Sequence, residues 1–265
     1  MKRSFRIFTV LLTAMTVCLL GGSTVFSFSD EEYLLASTPD AGLDYQNALV
    51  FLGESTTAHL RARGALTDGT NTKQVLSGKG GTLLLSKKLP SLLLDDPLAD
   101  TPVTLTESLR SRTPAYLVLS FGLNGITGFT KDPSSYLAAY QTLIDTVQAA
   151  SPKTAVILQT VYPVTAPTDG SKWGFSHSVE EINKMIQAIN QALPTLAAAN
   201  TGVRIADTAS VLRKADGSLD PRYSAGDGIH LNAGAYTQIL AYLRTHAYHI
   251  PTPLPITKNE WRRAL

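Results

Sequence analysis

The sequence predicts an α/β protein: a three-layer α/β/α sandwich around a parallel five-stranded sheet. Two observations support this prediction. Short apolar runs alternate along the chain with longer stretches of helical periodicity. The runs are nearly continuous in Val, Ile and Leu, which is typical of parallel strands buried on both faces. The five predicted strands are residues 48–53, 73–77, 115–122, 154–163 and 203–207.

Helices are predicted where capping signals precede periodic apolar residues. Asp132 followed by Pro133 is typical of a helix start, with an N-cap and a proline in the first turn. Ser178 and Glu181 have the spacing of a capping box, and Pro194 should end or kink the helix that follows them. The three predicted helices cover residues 133–150, 182–199 and about 232–246.

The N-terminus predicts export from the cytoplasm. Three cations in the first six residues precede 20 uncharged residues, 7–26, and acidic residues follow. Such a run is long enough to span a bilayer, and its positive flank should stay in the cytoplasm. Residues 1–28 are therefore expected to be a cleaved signal peptide or an uncleaved membrane anchor, and the rest of the chain to be extracytoplasmic. The expected parts after them are a linker (29–46), a globular domain (47–250) and a C-terminal tail (251–265).

The composition narrows the function classes. A chain of 265 residues with 44% apolar and 17% charged residues can form a full core. Cys18 is the only cysteine, which excludes internal disulfides and two-cysteine metal sites. Without the three cations of residues 1–28, the net charge of +2 becomes −1, so no basic field for nucleic acid is expected. No metal or other cofactor is predicted, because no cluster of Cys, His and carboxylates has ligand spacing.

Residues capable of catalysis follow the predicted strands. Ser55 comes two residues after the first strand and Asn124 comes after the third, while Asp227 and His230 precede the last helix. Open α/β sheets bind ligands at the carboxyl edge of their strands, so these side chains are expected to meet. They could supply a nucleophile, an oxyanion donor, an orienting acid and a base. For Ser55 alone, the alternative is an ordinary helix N-cap.

These stretches resemble the SGNH hydrolases, also called GDSL-type esterases and lipases. The family's Gly-Asp-Ser block is matched by residues 53–55, its Gly-x-Asn-Asp block by residues 122–125 and its Asp-x-x-His block by residues 227–230. The blocks occur in the family's order, within a resemblance that spans about residues 47–248. Glu54 and Gly125 each replace an aspartate, which affects supporting hydrogen bonds but removes no reacting group.

The resemblance implies a flavodoxin-like strand order and a catalytic serine. Ser55 would be the nucleophile, His230 the base that takes its proton and Asp227 the acid that orients the histidine. The implied oxyanion donors are the backbone N–H groups of Ser55 and Gly81 and the side-chain amide of Asn124.

The choice of Gly81 depends on glycine spacing in the loop after the second strand. Gly78 and Gly81 lie three residues apart, as two glycines often do in the family, and Gly80 lies between them. All three glycines therefore remain candidates for the oxyanion donor.

The function implied by the resemblance is hydrolysis of an ester, namely an O-acyl or O-acetyl group on a carbohydrate. A lipid ester is the near alternative for the substrate. Two other functions stay open: an acyltransferase that acts on cell-surface polysaccharide, and a carbohydrate-binding module without turnover. Hydrolysis and transfer share the same acyl-enzyme and differ only in the second nucleophile. The expected partner is thus a small-molecule or carbohydrate ester, and the oligomeric state is open.

Other histidines and one loop have weaker signals. His59 lies four residues after Ser55 and is expected at the surface or just behind the site residues. His246 and His249, near the end of the last helix, are not expected to be ligands. The 14-residue loop 164–177 is longer than an ordinary connection and contains Trp173 and Phe175. These aromatics could contact a sugar ring or an acyl chain, or Trp173 could simply anchor the loop.

Overall fold

The computed structural model describes residues 31–249. The predicted N-terminal apolar segment, residues 7–26, and the tail at 251–265 lie outside these residues. Between residues 31 and 249, no helix is both long enough and apolar enough to cross a bilayer.

A mixed seven-stranded sheet forms the centre of the fold, in the order β4-β3-β2-β1-β5-β6-β7. Strands β2, β1, β5, β6 and β7 are parallel to one another. Counted along the chain, these five have the order 2-1-3-4-5, which is the flavodoxin-like order and confirms the predicted fold class. The strands are β1 (Leu49–Gly53), β2 (Val75–Gly78), β3 (Leu93–Asp95), β4 (Val103–Thr104), β5 (Tyr116–Ser120), β6 (Ala155–Gln159) and β7 (Val203–Ala206).

The predicted count of five strands is too low, because the antiparallel strands β3 and β4 extend the sheet at one edge. These strands have only three and two residues. Leu93 and Asp95 of β3 are exposed, whereas Leu94 between them is buried. Half-exposed strands of this length lack the continuous apolar run that identified the other five.

Helices cover both faces of the sheet and complete the three layers. Helix α5 starts at Pro133 and its N-cap Asp132 accepts a hydrogen bond from Ser135, as predicted. The predicted helix 182–199 is two helices, because α6 ends at Asn190 and Pro194 lies in the first turn of α7. The helices are α1 (Gly42–Ala48), α2 (Ser55–Ala62), α3 (Leu105–Arg112), α4 (Ile126–Lys131), α5 (Pro133–Ala150), α6 (Val179–Asn190), α7 (Leu193–Ala199) and α8 (Ala233–Thr245).

Two hydrophobic clusters fill the space between the layers. Alternate residues of β1 point to opposite faces: Val50 and Leu52 belong to one cluster, and Leu49 and Phe51 to the other. The first cluster contains side chains of α3 to α7, and the second contains side chains of α2 and α8. Burial on both faces explains why the parallel strands are apolar at nearly every position.

Part of the predicted linker 29–46 makes contacts with the rest of the domain. Leu34 forms a parallel bridge with Ile205 of β7, and the backbone N–H of Leu35 donates to Ile205 at 2.8 Å. Asp40 forms an ion pair with Arg244 at 3.1 Å, and α1 begins at Gly42. This segment thus packs on the domain. Its mixed polar sequence gives no indication of the backbone contacts that hold it there.

Candidate active site

The turn from β1 to α2 presents Ser55 at the carboxyl edge of the sheet. Gly53 is the last residue of β1, Glu54 is the N-cap of α2 and Ser55 is its first helical residue. A Cβ atom at Gly53 would lie 2.5 Å from the carbonyl oxygen of Ser120 on neighbouring β5. Only glycine therefore allows β1 and β5 to pair closely where the chain turns into the helix.

Ser55, His230 and Asp227 form one hydrogen-bonded chain. Ser55 Oγ lies 3.1 Å from His230 Nε2, and His230 Nδ1 lies 2.6 Å from Asp227 Oδ2. An ionised carboxylate accepts but cannot donate, so the Nδ1 atom carries the proton and Nε2 is free to accept the serine proton. The side chains of His230 and Asp227 are 32% and 31% exposed, so the three hydrogen-bonded side chains are open to solvent on one side.

Asp227 holds both the backbone and the ring of His230. Its Oδ1 atom accepts from the backbone N–H groups of Ile229 (2.9 Å) and His230 (2.8 Å), while Oδ2 accepts from the ring. Partial burial opposes ionisation, but these hydrogen bonds outweigh it and lower the pKa of Asp227 below its ordinary value. The carboxylate is therefore the charged form that orients the imidazole.

The loop 164–177 packs against the turn that contains Asp227. The backbone N–H of Thr165 donates to the carbonyl oxygen of Gly228 at 2.9 Å, and that of Thr168 donates to Gly226 at 2.6 Å. Gly228 has φ +78°, and a Cβ atom there would lie 2.1 Å from Thr165 O. The glycine in Asp-Gly-Ile-His thus permits both the turn and the close approach of the loop.

The aromatic residues of this loop anchor it, in agreement with one of the two predicted alternatives. Trp173 Nε1 donates to the carbonyl oxygen of His177 at 2.6 Å, and its ring lies 5.2 Å from that of Phe175. Both rings are half-buried and pack against the first hydrophobic cluster. The loop therefore acts as a support for the turn at residues 226–228.

The buried carboxylate of Glu54 organises the turn after β5. Its side chain is 4% exposed, and Oε1 accepts from the backbone N–H groups of Gly122 (2.9 Å) and Asn124 (3.0 Å). Burial raises the pKa of Glu54 to about 7, although hydrogen bonds from Gly122, Asn124 and Leu123 oppose the shift. Glu54 replaces the aspartate of the family's Gly-Asp-Ser block, which put the supporting hydrogen bonds in question. These bonds are present, and the longer glutamate side chain makes them.

The raised pKa of Glu54 predicts a specific dependence of stability on pH. A carboxyl group that titrates near pH 4.5 when unfolded and near 7 when folded binds more protons in the folded state between these values. Its contribution to stability is full below pH 4.5 and is lost as the pH rises through 7, a difference of up to about 3 kcal/mol. We expect Glu54→Gln, which can keep the acceptor oxygen, to remove this part of the pH dependence.

Unfolding free energies of wild type and Glu54→Gln at pH 5 and pH 8 test this expectation. The exposed Glu180 on α6 provides a matched control, since Glu180→Gln should leave the pH dependence of the wild type nearly unchanged. If the free energy of unfolding changes equally between pH 5 and pH 8 in all three proteins, the role of Glu54 is contradicted.

Comparison with known proteins identifies the family. The sequence model of the GDSL-like lipase/acylhydrolase family matches residues 51–238, which include the strand-end residues described above. The chain belongs to this family. It is a GDSL-like hydrolase that acts on ester bonds, as the sequence predicted. A comparison with curated proteins gave no match.

Solved structures with a similar fold share little sequence with this GDSL-like hydrolase. A structure from Streptococcus pneumonia described as a platelet activating factor is 18% identical, with 83% of this chain and 89% of that chain covered and a TM-score of 0.50. A GDSL-like lipase of Bacteroides thetaiotaomicron is 16% identical, covering 75% and 87%, with a TM-score of 0.45. A family 3 carbohydrate esterase of Clostridium thermocellum is 15% identical, covering 74% and 93%, with a TM-score of 0.41. At these identities the likeness concerns the fold.

The predicted oxyanion donors differ in their availability in the GDSL-like hydrolase. The backbone N–H of Ser55 has no hydrogen-bond partner within residues 31–249. The side-chain amide of Asn124 donates to Thr82 Oγ1 at 3.1 Å and to Leu83 O at 3.3 Å. Asn124 is thus in place beside the loop after β2, but its amide hydrogens are already engaged.

Gly81, the third predicted donor, has its backbone N–H engaged in the structure, and its role as an oxyanion donor stays a prediction. Its backbone N–H donates to Gly78 O at 2.9 Å and closes a four-residue turn, so it is not a free donor. Gly80, at the third position of this turn, has φ +79°, a conformation that glycine adopts at little cost. The glycine spacing therefore reflects a tight turn, and it cannot by itself identify an oxyanion donor.

Two residues beside the site carried no catalytic signal in the sequence. The ring of His59 lies 4.9 Å from that of His230, so this residue stands directly behind the predicted base. Tyr236 of α8 is 1% exposed, and its hydroxyl donates to the carbonyl oxygen of Thr56 in the first turn of α2 at 2.8 Å. This bond ties the helix that starts at Ser55 to the helix that follows His230.

The remaining histidines and the prediction about metals concern other parts of the chain. His246 is the C-cap of α8, and its ring stacks on Tyr242 at 3.8 Å. Within the part of the chain that the structure describes, no group of three or more His, Cys, Asp or Glu side chains could hold a metal ion. The prediction that no metal or other cofactor is needed stays a prediction, for which inhibition by chelators is the direct measurement.

Proposed function

We propose that the protein is a serine esterase in which Ser55 attacks the substrate, His230 transfers protons and Asp227 orients His230. The observation that carries this proposal is the hydrogen-bonded chain from Ser55 Oγ through the imidazole to Asp227. A serine hydroxyl is a weak nucleophile until a neighbouring base accepts its proton. The distances in this chain suit that transfer without rearrangement.

The first half of the reaction forms an acyl-enzyme. Ser55 Oγ bonds to the ester carbonyl carbon while its proton moves to His230 Nε2. The tetrahedral intermediate then expels the alcohol, which takes the proton from Nε2. In the second half, water attacks the acyl group and gives its proton to Nε2, and the proton returns to Ser55 as the carboxylic acid leaves.

The negatively charged oxygen of the tetrahedral intermediate must be stabilised by hydrogen-bond donors of the site. The backbone N–H of Ser55, which has no partner within residues 31–249, is one, and its position at the start of α2 adds the favourable end of the helix dipole. Asn124 can become a second donor if the oxyanion displaces Leu83 O, the more distant of its two present acceptors. Thr82 would then keep the other amide hydrogen and hold the side chain in orientation. Such a donor contributes about 3 to 4 kcal/mol to lowering the barrier.

The proposed substrate is an O-acyl, often O-acetyl, ester of a carbohydrate. The side chains of His230 and Asp227 are about one-third exposed, and an open site of this kind can accept an ester carried on a large polymer. We also propose that the protein acts outside the cytoplasm, on the basis of the apolar segment at residues 7–26. The preserved chain of Ser55, His230 and Asp227 disfavours a binding module without turnover.

Product analysis tests the reaction and separates hydrolysis from transfer. The protein without residues 1–28 is incubated with p-nitrophenyl [¹⁴C]acetate, with and without an unsubstituted polysaccharide. We expect labelled acetate as the main product in both cases, and an unchanged rate in EDTA. Label recovered mainly on the polysaccharide would replace the esterase with an acyltransferase, and no release of p-nitrophenol would contradict both.

A further inference from the structure

His59 contacts the predicted base but belongs to none of the motifs that identify the family. It lies on α2, one helical turn after Ser55, and is half-buried. Its ring centroid is 4.9 Å from that of His230, with the planes tilted by 49°. The two rings therefore pack against each other, and His59 limits the positions that the imidazole of His230 can take.

The surroundings of His59 favour its neutral form. Its Nδ1 atom is buried and is the one buried side-chain nitrogen or oxygen within residues 31–249 without a hydrogen-bond partner. A protonated imidazole carries N–H donors on both nitrogens, so protonation would leave a buried donor unpaired. Burial, followed by the charges of His230 and Arg63, lowers the pKa of His59, and Asp227 opposes this effect.

The strands and the 69–71 turn that pack against α2 supply no compensating charge near this ring, and Asp95 of β3 is paired with Arg61. The strands under α2, Leu49–Gly53 and Val75–Gly78, contain no charged residue. Arg63 lies one turn after His59 on the same helix, and a second cation there would be repelled. Among residues 31–249, Asp227 is the one acidic group that raises the pKa of His59, and it is already bonded to His230.

Neutrality of His59 matters because His230 becomes positively charged during the proposed reaction. When His230 takes the serine proton, a cation forms about 5 Å from the His59 ring. Two cations at that distance repel strongly enough at a half-buried site to slow proton transfer by roughly tenfold or more. A neutral ring gives packing without this repulsion.

We propose that His59 is a positioning residue for His230: its uncharged ring holds the imidazole between Ser55 and Asp227 and must stay uncharged for proton transfer. This inference rests on the proposed function, because it concerns the base of that reaction. It predicts that ring shape and charge at position 59 have separate effects on kcat, with little effect on KM.

Two pairs of variants separate these effects. His59→Phe keeps an aromatic ring and should retain kcat within about threefold of the wild type, whereas His59→Ala should lose about fivefold to tenfold. His59→Lys and His59→Met have side chains of similar length and differ in charge. At pH 7, kcat of His59→Lys should be at least tenfold below that of His59→Met, with KM values within about twofold.

The pH profile distinguishes charge from a general structural defect. As the pH rises towards 10 and the lysine loses its proton, kcat of His59→Lys should approach that of His59→Met. Equal kcat values for these two folded variants at every pH, together with equal values for His59→Phe and His59→Ala, would overturn the inference while the wild type still hydrolyses esters. If His59→Lys fails to fold, the comparison of His59→Phe with His59→Ala still decides the role of the ring. A wild type without esterase activity would instead overturn the proposed function.

Discussion

Replacing Ser55 with alanine should abolish hydrolysis of short p-nitrophenyl esters. The Ser55 hydroxyl, whose oxygen lies 3.1 Å from His230 Nε2, is the proposed nucleophile. No acyl-enzyme can form at Ser55 without it. Removal of the serine in serine proteases lowers kcat by up to about 10⁶-fold, and we expect a loss of several orders of magnitude here. The protein should still fold, because one partly exposed hydrogen bond contributes only about 1 kcal/mol.

The matched control is Ser111→Ala, an exposed serine on α3 outside the site, which should retain full activity. Labelling gives an independent measurement: a fluorophosphonate should add covalently to Ser55 in the wild type and in Ser111→Ala, but not in Ser55→Ala. Unchanged turnover in folded Ser55→Ala would mean that another group attacks the ester.

The five parallel strands could be predicted because each is buried on both faces. Continuous apolar sequence is the direct result of that burial, as the alternating residues of β1 show. The antiparallel strands β3 and β4 could not be recognised in the same way, because they are short and partly exposed. Strand β3 is placed in the sheet by hydrogen bonds to β2, and β4 by hydrogen bonds to β3, and these contacts leave no trace in local composition.

The contacts of the site residues likewise differ in whether local sequence indicates them. Asp227 and His230 are three residues apart, so a single turn brings their side chains together, and sequence spacing alone indicates the pair. The contact between His59 and His230 depends on how α2 packs beside the turn before α8, which is a long-range property. The hydrogen bonds of Asn124 likewise depend on the conformation of the loop after β2. Motif reasoning therefore predicts the reacting groups but not the residues that pack around them.

Glu54 shows how the structure corrects the interpretation of a motif. As a departure from Gly-Asp-Ser it put supporting hydrogen bonds in question, yet its longer side chain reaches the N–H groups of Gly122 and Asn124. The bonded turn places Asn124 beside the loop that holds its amide. The substitution is therefore compatible with an ordered site, and its distinctive property is a buried carboxyl group with a raised pKa.

Replacing Asp227 with asparagine should show whether the reaction depends on a Ser–His–Asp triad or on a Ser–His pair alone. The asparagine oxygen can still accept from the backbone N–H groups of Ile229 and His230, so the turn should persist. The amide NH₂ would then face His230 Nδ1 and favour the tautomer with the proton on Nε2, which cannot accept the serine proton. In serine proteases the corresponding change lowers kcat by about 10⁴-fold, and we expect a loss of up to this size in kcat with little change in KM.

Steady-state kinetics of Asp227→Asn on a small ester decide between the two arrangements. The alternative is that Asp227 serves only as a turn residue and a backbone carbonyl orients the histidine, since Asp before Gly is also common in loops. Asp227→Ala provides the matched comparison, because it removes both the backbone and the ring contacts and should lower stability as well as kcat. If Asp227→Asn reduces kcat by less than about tenfold, equivalent to roughly 1.4 kcal/mol of barrier, the Ser–His pair is sufficient and the carboxylate is structural. A loss of 10³-fold or more in a protein as stable as the wild type would establish Asp227 as the group that sets the tautomer of His230.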